Sequence, residues 1–84
     1  MVFEGDCVAI FHSIHRVMKA EKILQNRGLD FLLIPVPRQL SADCGMAIRF
    51  SRTIQTAVEN ALSDGELAMS ELWLMEGGTY RRLR

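Results

Sequence analysis

Few residues in this chain of 84 could do chemistry by side-chain type alone: Cys7, Cys44, His12 and His15. Cys44 stands in the stretch Pro-Arg-Gln-Leu-Ser-Ala-Asp-Cys-Gly, residues 37–45, which has no period and reads as a loop. The reactive form of a cysteine is its thiolate, which nearby cations and the free N–H groups of a helix start both favour. Arg38 in the same loop supplies such a cation, and His12 or His15 would add to it when protonated. Asp43 works the other way, because an adjacent carboxylate disfavours a second negative charge. Cys7 lies in the apolar run Cys-Val-Ala-Ile-Phe and reads as a small core residue. The competing reading of Cys44 is that it only packs under its loop.

Other chemistries find little support. There is no carboxylate pair, phosphate loop or nucleophile triad, so a stand-alone turnover enzyme is not indicated. Cys44, His12 and His15 lack the spacing of a metal motif, and no metal ligand is assigned. Two cysteines are too few for a disulfide framework. Ten basic residues against ten acidic ones give a formal charge of zero, which removes the electrostatic footprint of a nucleic-acid binder. The longest strongly apolar stretch, residues 31–36, is far too short to cross a bilayer, and no cationic start followed by an apolar run marks a signal peptide. A cytoplasmic protein with no membrane partner is the expectation.

The zero is unevenly distributed. Residues 27–52 carry +2, residues 53–78 carry −5 with no basic residue, and the last six carry +3 through Arg81, Arg82 and Arg84.

The elements that must position these residues follow from periodicity. Residues 7–11 suit a buried strand, and Ser13 suits the cap of a helix in which Ile14, Val17, Ala20 and Leu24 form an apolar stripe. Gly28 fits a left-handed helix end, and residues 31–36 read as a second strand, ended by Pro35 and Pro37. After the loop, residues 46–50 resume a strand. Ile54, Ala57, Val58, Ala61 and Leu62 mark a second helix that Asp64-Gly65 should end. Residues 72–75 give a last strand, and Gly77-Gly78 reads as a hinge.

The order is β-α-β-β-α-β. The expectation is an α+β, ferredoxin-like domain over residues 1–78, a four-stranded antiparallel sheet with two helices on one face, then a flexible basic tail at 79–84. In that arrangement Cys7 and Cys44 lie at opposite ends of the sheet, about 17 Å apart along a strand, too far for a disulfide. A free edge at strand 2 or strand 4 leaves a homodimer open.

At the loop the residues resemble a known family. Ile34-Pro35-Val36-Pro37-Arg38, Leu40-Ser41, Cys44-Gly45 and Arg49-Phe50 look like the signature of the putative selenium/sulfur carrier protein-like family, small bacterial and archaeal domains. Phe11, Ser13, His15 and Lys19-Ala20-Glu21 resemble its first strand and helix. Asp43 departs from the pattern, which often has a small polar residue there, and the arginine-rich tail lies outside it.

The resemblance implies a carrier of sulfur or selenium on a cysteine, held transiently as a persulfide or selenosulfide, with no other cofactor. It implies a chalcogen donor such as a cysteine desulfurase, and an acceptor protein in a selenium or sulfur pathway. In that reading Cys44 is the acceptor and carrier, Gly45 leaves room for a donor's loop, and Arg38 stabilises the bound anion. His15 is a proton donor, and Ser13 is counted with it among the binding residues. Arg49 is read as structural or partner-facing. The alternative is an interaction or regulatory module whose cysteine is incidental.

Overall fold

The structure is a computed structural model that describes residues 1–41 and 45–84. Its elements, in chain order, are β1 (Asp6–Ile10), α1 (Ile14–Asn26), β2 (Leu32–Pro35), β3 (Met46–Ser51), a 3₁₀ turn (Arg52–Ile54), α2 (Gln55–Asp64), β4 (Glu71–Glu76) and β5 (Thr79–Arg82). The strands form one antiparallel sheet in the order β2-β3-β1-β4-β5.

β1 sits at the centre, with Cys7 opposite Phe50 of β3 and Leu74 of β4. Its residues 7–10 are all buried, which explains an apolar run without alternation: both faces of the strand are covered. Cys7 and Ala9 join the core formed with Val17, Ala20 and Leu24 of α1 and with Val58, Ala61 and Leu62 of α2. Val8 and Ile10 face the other way, against Ile34 and Ala47, with Val2, Leu40, Trp73 and Tyr80 packed around them.

α1 begins where Ser13 caps it, its hydroxyl accepting from the Arg16 amide at 3.4 Å. It ends in a Schellman motif. Gly28, at φ +66°, donates to the Gln25 carbonyl, and Leu29 donates to that of Leu24. An Arg27–Asp64 ion pair at 2.6 Å ties the C-terminal end of α1 to that of α2.

Four expectations change. The sheet has five strands, not four, and residues 79–82 of the expected tail are the fifth. Gly77 and Gly78, at φ +65° and +80°, are the central pair of a two-residue hairpin turn between Glu76 and Thr79, with the double positive φ of the I′ class. The Glu4 carboxylate accepts from both glycine amides, at 2.8 and 3.4 Å, and fixes the turn from outside. With β4 enclosed, the sheet edges are β2 and β5, so no free edge lies at the fourth strand.

The tail's charge has a structural use. Arg81 pairs with Glu76 at 2.9 Å, Arg84 pairs with Glu59 at 3.1 Å, and Arg82 lies 5.6 Å over the Trp73 ring. The +3 end is laid against the −5 segment, which is how an uneven sequence comes to a balanced surface.

Candidate functional site

The end of the sheet where β1 runs into α1 is also where β3 begins, because Ile10 pairs with Ala47. There a cavity of about 310 Å³ opens, lined by Ile10, His12, Ser13, Ile14, Val17, Val36, Ser41, Gly45 and Met46. Ser41 and Gly45 are the described residues that bracket positions 42–44 in sequence. Cys44 itself, the carrier residue of the sequence reading, lies outside the described residues, as does Asp43.

Of the remaining predicted residues, the cavity brings together Ser13 and Gly45. The Ser13 hydroxyl is engaged as the helix cap. Gly45 is exposed, and a methyl group added there would meet only Val36 Cγ2 at 3.7 Å, an ordinary contact. His15 and Arg38 are exposed and do not line the cavity. His15 is on the first turn of α1, and Arg38 is in the turn closed by the Leu40 and Ser41 amides on the Pro37 carbonyl.

Arg49 is structural: its guanidinium donates to the Met1 carbonyl at 2.5 Å, approaches Asp6 at 3.6 Å and lies 5.9 Å from the Phe3 ring centre. It clips the N-terminal segment over the face of the sheet opposite the helices.

Sequence reasoning gave His12 only a supporting part, yet in the structure both its backbone and its half-exposed ring are held. Its backbone is left-handed, at φ +58°, a conformation costly for an L-residue though more tolerated by His than by most. Its Nε2 lies 2.6 Å from Glu71 Oε2, and the other oxygen of that carboxylate accepts from the Trp73 indole at 2.9 Å. The Trp73 hydrogen bond, reinforced by that from His12, holds the Glu71 carboxyl below its ordinary range even though partial burial opposes this. Fifty-nine residues separate His12 from Glu71, so only the β1–β4 pairing could reveal the couple.

Cys7 is fully buried, and burial pushes its thiol up to about 11. At neutral pH it is an inert core residue. Among the described residues, no group of three or more His, Cys, Asp and Glu side chains is placed to hold a metal ion. No described helix is long and apolar enough to cross a membrane.

Fold and site together describe a small α+β protein whose sheet end carries a cavity lined in part by Ser41 and Gly45. By sequence, the chain belongs to the family described as "Putative Se/S carrier protein-like", whose model matches residues 6–74. No curated protein and no solved structure matches it.

Proposed function

We propose that this protein is a chalcogen carrier, with Cys44 as the residue that accepts sulfur or selenium and hands it on. The family match carries the reading, since it runs from the start of β1 into β4 and includes position 44. Two features support it. The residues that bracket the cysteine segment line a cavity large enough for small groups, and Cys7 is buried and held as a thiol, so it does not compete as nucleophile or resolving thiol.

In the first step the Cys44 thiolate attacks the outer sulfur of a donor cysteine persulfide. A new S–S bond forms, the donor's own S–S bond breaks, and the donor cysteine leaves as a thiolate. In the second step an acceptor thiolate attacks the outer sulfur, and Cys44 is the leaving thiolate. One sulfur atom moves in each step with no net oxidation. Selenium from a donor perselenide balances in the same way. A cysteine desulfurase is the class of donor that generates such a persulfide. Gly45, without a side chain, leaves space for a donor's loop, and exposed Arg38 offers charge to the carried anion.

The test is intact and peptide mass spectrometry after incubation with a cysteine desulfurase and cysteine, or with the same enzyme and selenocysteine. A gain of one sulfur or selenium atom on Cys44, absent from Cys44→Ser, is the expected result. No adduct from any donor would leave an interaction module instead.

A further inference from the structure

The two edges of the sheet are protected differently. β5 carries Arg81 and Arg82, with Arg84 just beyond, and charge on an edge deters pairing with another chain. β2 carries no charge: its residues are Leu32, Leu33, Ile34 and Pro35. Leu32 and Leu33 are 50% and 36% exposed.

The direction of the backbone groups along β2 follows from one bond. The Val36 amide donates to the Gly45 carbonyl, on the β3 side, at 2.9 Å. Backbone groups alternate along a strand, so those of Ile34 and Leu32 also face β3, and those of Leu33 and Pro35 face away. Proline is tolerated at such a position because an outward amide has no ladder bond to lose. The edge therefore offers the Leu33 N–H, the Leu33 C=O and the Pro35 C=O.

α1 continues this apolar surface. Its Ile14 and Met18 are 56% and 58% exposed. Arg16 reaches the Ala68 carbonyl, and Ile23 lies against Gly65 at the end of α2, so that flank of α1 faces α2. At roughly 100° per residue, Ile14 and Met18 fall on the opposite flank, toward β2. Ile14 lines the same cavity as Val36. β1 and β2 both run against β3, so α1, which joins them, runs back along β2. Met18, one turn or about 6 Å further on, thus comes level with Leu33 and Ile34. The Leu33 side chain is on the same side, because its partner Ile48 belongs to the core under the helices.

We propose that β2 is a dimerisation edge, pairing antiparallel with β2 of a second copy of this chain, with Leu33 on the two-fold axis. In this register the Leu33 N–H and C=O of each copy bond those of the other, and Leu32 of each lies opposite Ile34 of the other. Ile14 and Met18 of both copies meet over the Leu33 pair, and the two sheets become one. Two features select a second copy as the occupant. Asp30 stands before β2 and Arg38 after it, so antiparallel pairing brings the acidic end of each strand to the basic end of the other. The formal charge of the chain is zero, so copies do not repel one another. The proposal stands whether or not Cys44 carries a chalcogen.

The experiment is sedimentation equilibrium from low to high micromolar concentration, where a reversible monomer–dimer equilibrium is expected. Leu33→Arg sets two like charges opposite each other on the axis, and Met18→Glu charges an exposed helix position without touching the core. Each should weaken the dimer about tenfold or more, with circular dichroism confirming that the variants are folded. Crosslinking reads the register, in a Cys44→Ser background in which Cys7 is buried. Leu33→Cys places two Cα atoms about 5.5 Å apart, within disulfide range, whereas Leu32→Cys leaves them about 7–8 Å apart. Under mild oxidation with diamide the first should form a covalent dimer in preference to the second. A chain that stays monomeric throughout, or a dimer that either charged variant leaves intact, overturns the proposal. Crosslinking of Leu32→Cys as readily as Leu33→Cys overturns the pairing with Leu33 on the axis.

Discussion

Substituting alanine at Gly77 or Gly78 separates a hinge from a turn by the sign of its effect. In a hinge before a loose tail, Gly→Ala is neutral or stabilising by about 0.4–1 kcal/mol, because it narrows the unfolded ensemble. Here both residues have φ above +60°, and a side chain there costs roughly 1–2 kcal/mol. Neither Cβ would meet another atom within 4 Å, so the cost is backbone strain and not collision. For a domain of this size about 1 kcal/mol moves the melting temperature by roughly 4–8 °C. Each single alanine variant should therefore melt at least about 4 °C below the wild type, and the double variant lower still. Gly77→Asn, which keeps the Asn-Gly pair favoured in this turn class, should recover most of the loss. The assay is thermal unfolding followed by circular dichroism, with hydrogen exchange at the Arg81 and Leu83 amides, which face β4, reporting on the pairing of the last strand. Alanine variants that melt at or above the wild-type temperature would refute the hairpin turn.

Four further outcomes follow from the same structure. Cys7, buried and with its thiol pushed up to about 11, should resist iodoacetamide in the native protein at pH 8 and react once urea unfolds it; rapid native labelling counts against its place in the core. Phe11→Ala, at a fully buried side chain, should cost about 3–5 kcal/mol in urea unfolding, a large part of the stability of a small domain. Gly45→Ala should leave the melting temperature nearly unchanged, since only Val36 Cγ2 lies near. It should slow sulfur transfer from a desulfurase but not from a small-molecule persulfide; equal rates with both donors argue against a docking role.

The fourth is a pH dependence. The Glu71 carboxyl is held below its ordinary value in the folded protein, so its contribution is present above the unfolded pKa of about 4.3 and is lost as pH falls through the folded value. The stability gap between wild type and Glu71→Gln, measured by urea unfolding, should be steady near pH 7 and close on acidification below about pH 4. A gap that widens on acidification contradicts the sign.

Local signals carried much of the architecture. The Ser13 cap, the Gly28 termination and the apolar stripe Val17-Ala20-Leu24 are written in adjacent residues, and helix α1 starts and stops where they say. The first three strands and the second helix were legible for the same reason. The fifth strand was not, because Thr79–Arg82 alternates weakly and three arginines at the end of a chain look like a solvated tail. Only the pairing of β5 with β4 gives those arginines partners.

The site divides along the same line. Sequence alone determined that this chain has one cysteine in an apolar run and another in a polar stretch beside glycine. It determined the family too, because a motif spread over Ile34–Phe50 is a property of the chain and not of its folding. Tertiary structure decided which polar groups meet. His15 and Arg38, close to the cavity in sequence, fall outside it, whereas His12 from the connection after β1 meets Glu71 and Trp73 of β4. The physical reason is range. A cap or helix stripe is settled within a few residues, but a hydrogen bond across 59 residues exists only once the strands have paired and fixed its register.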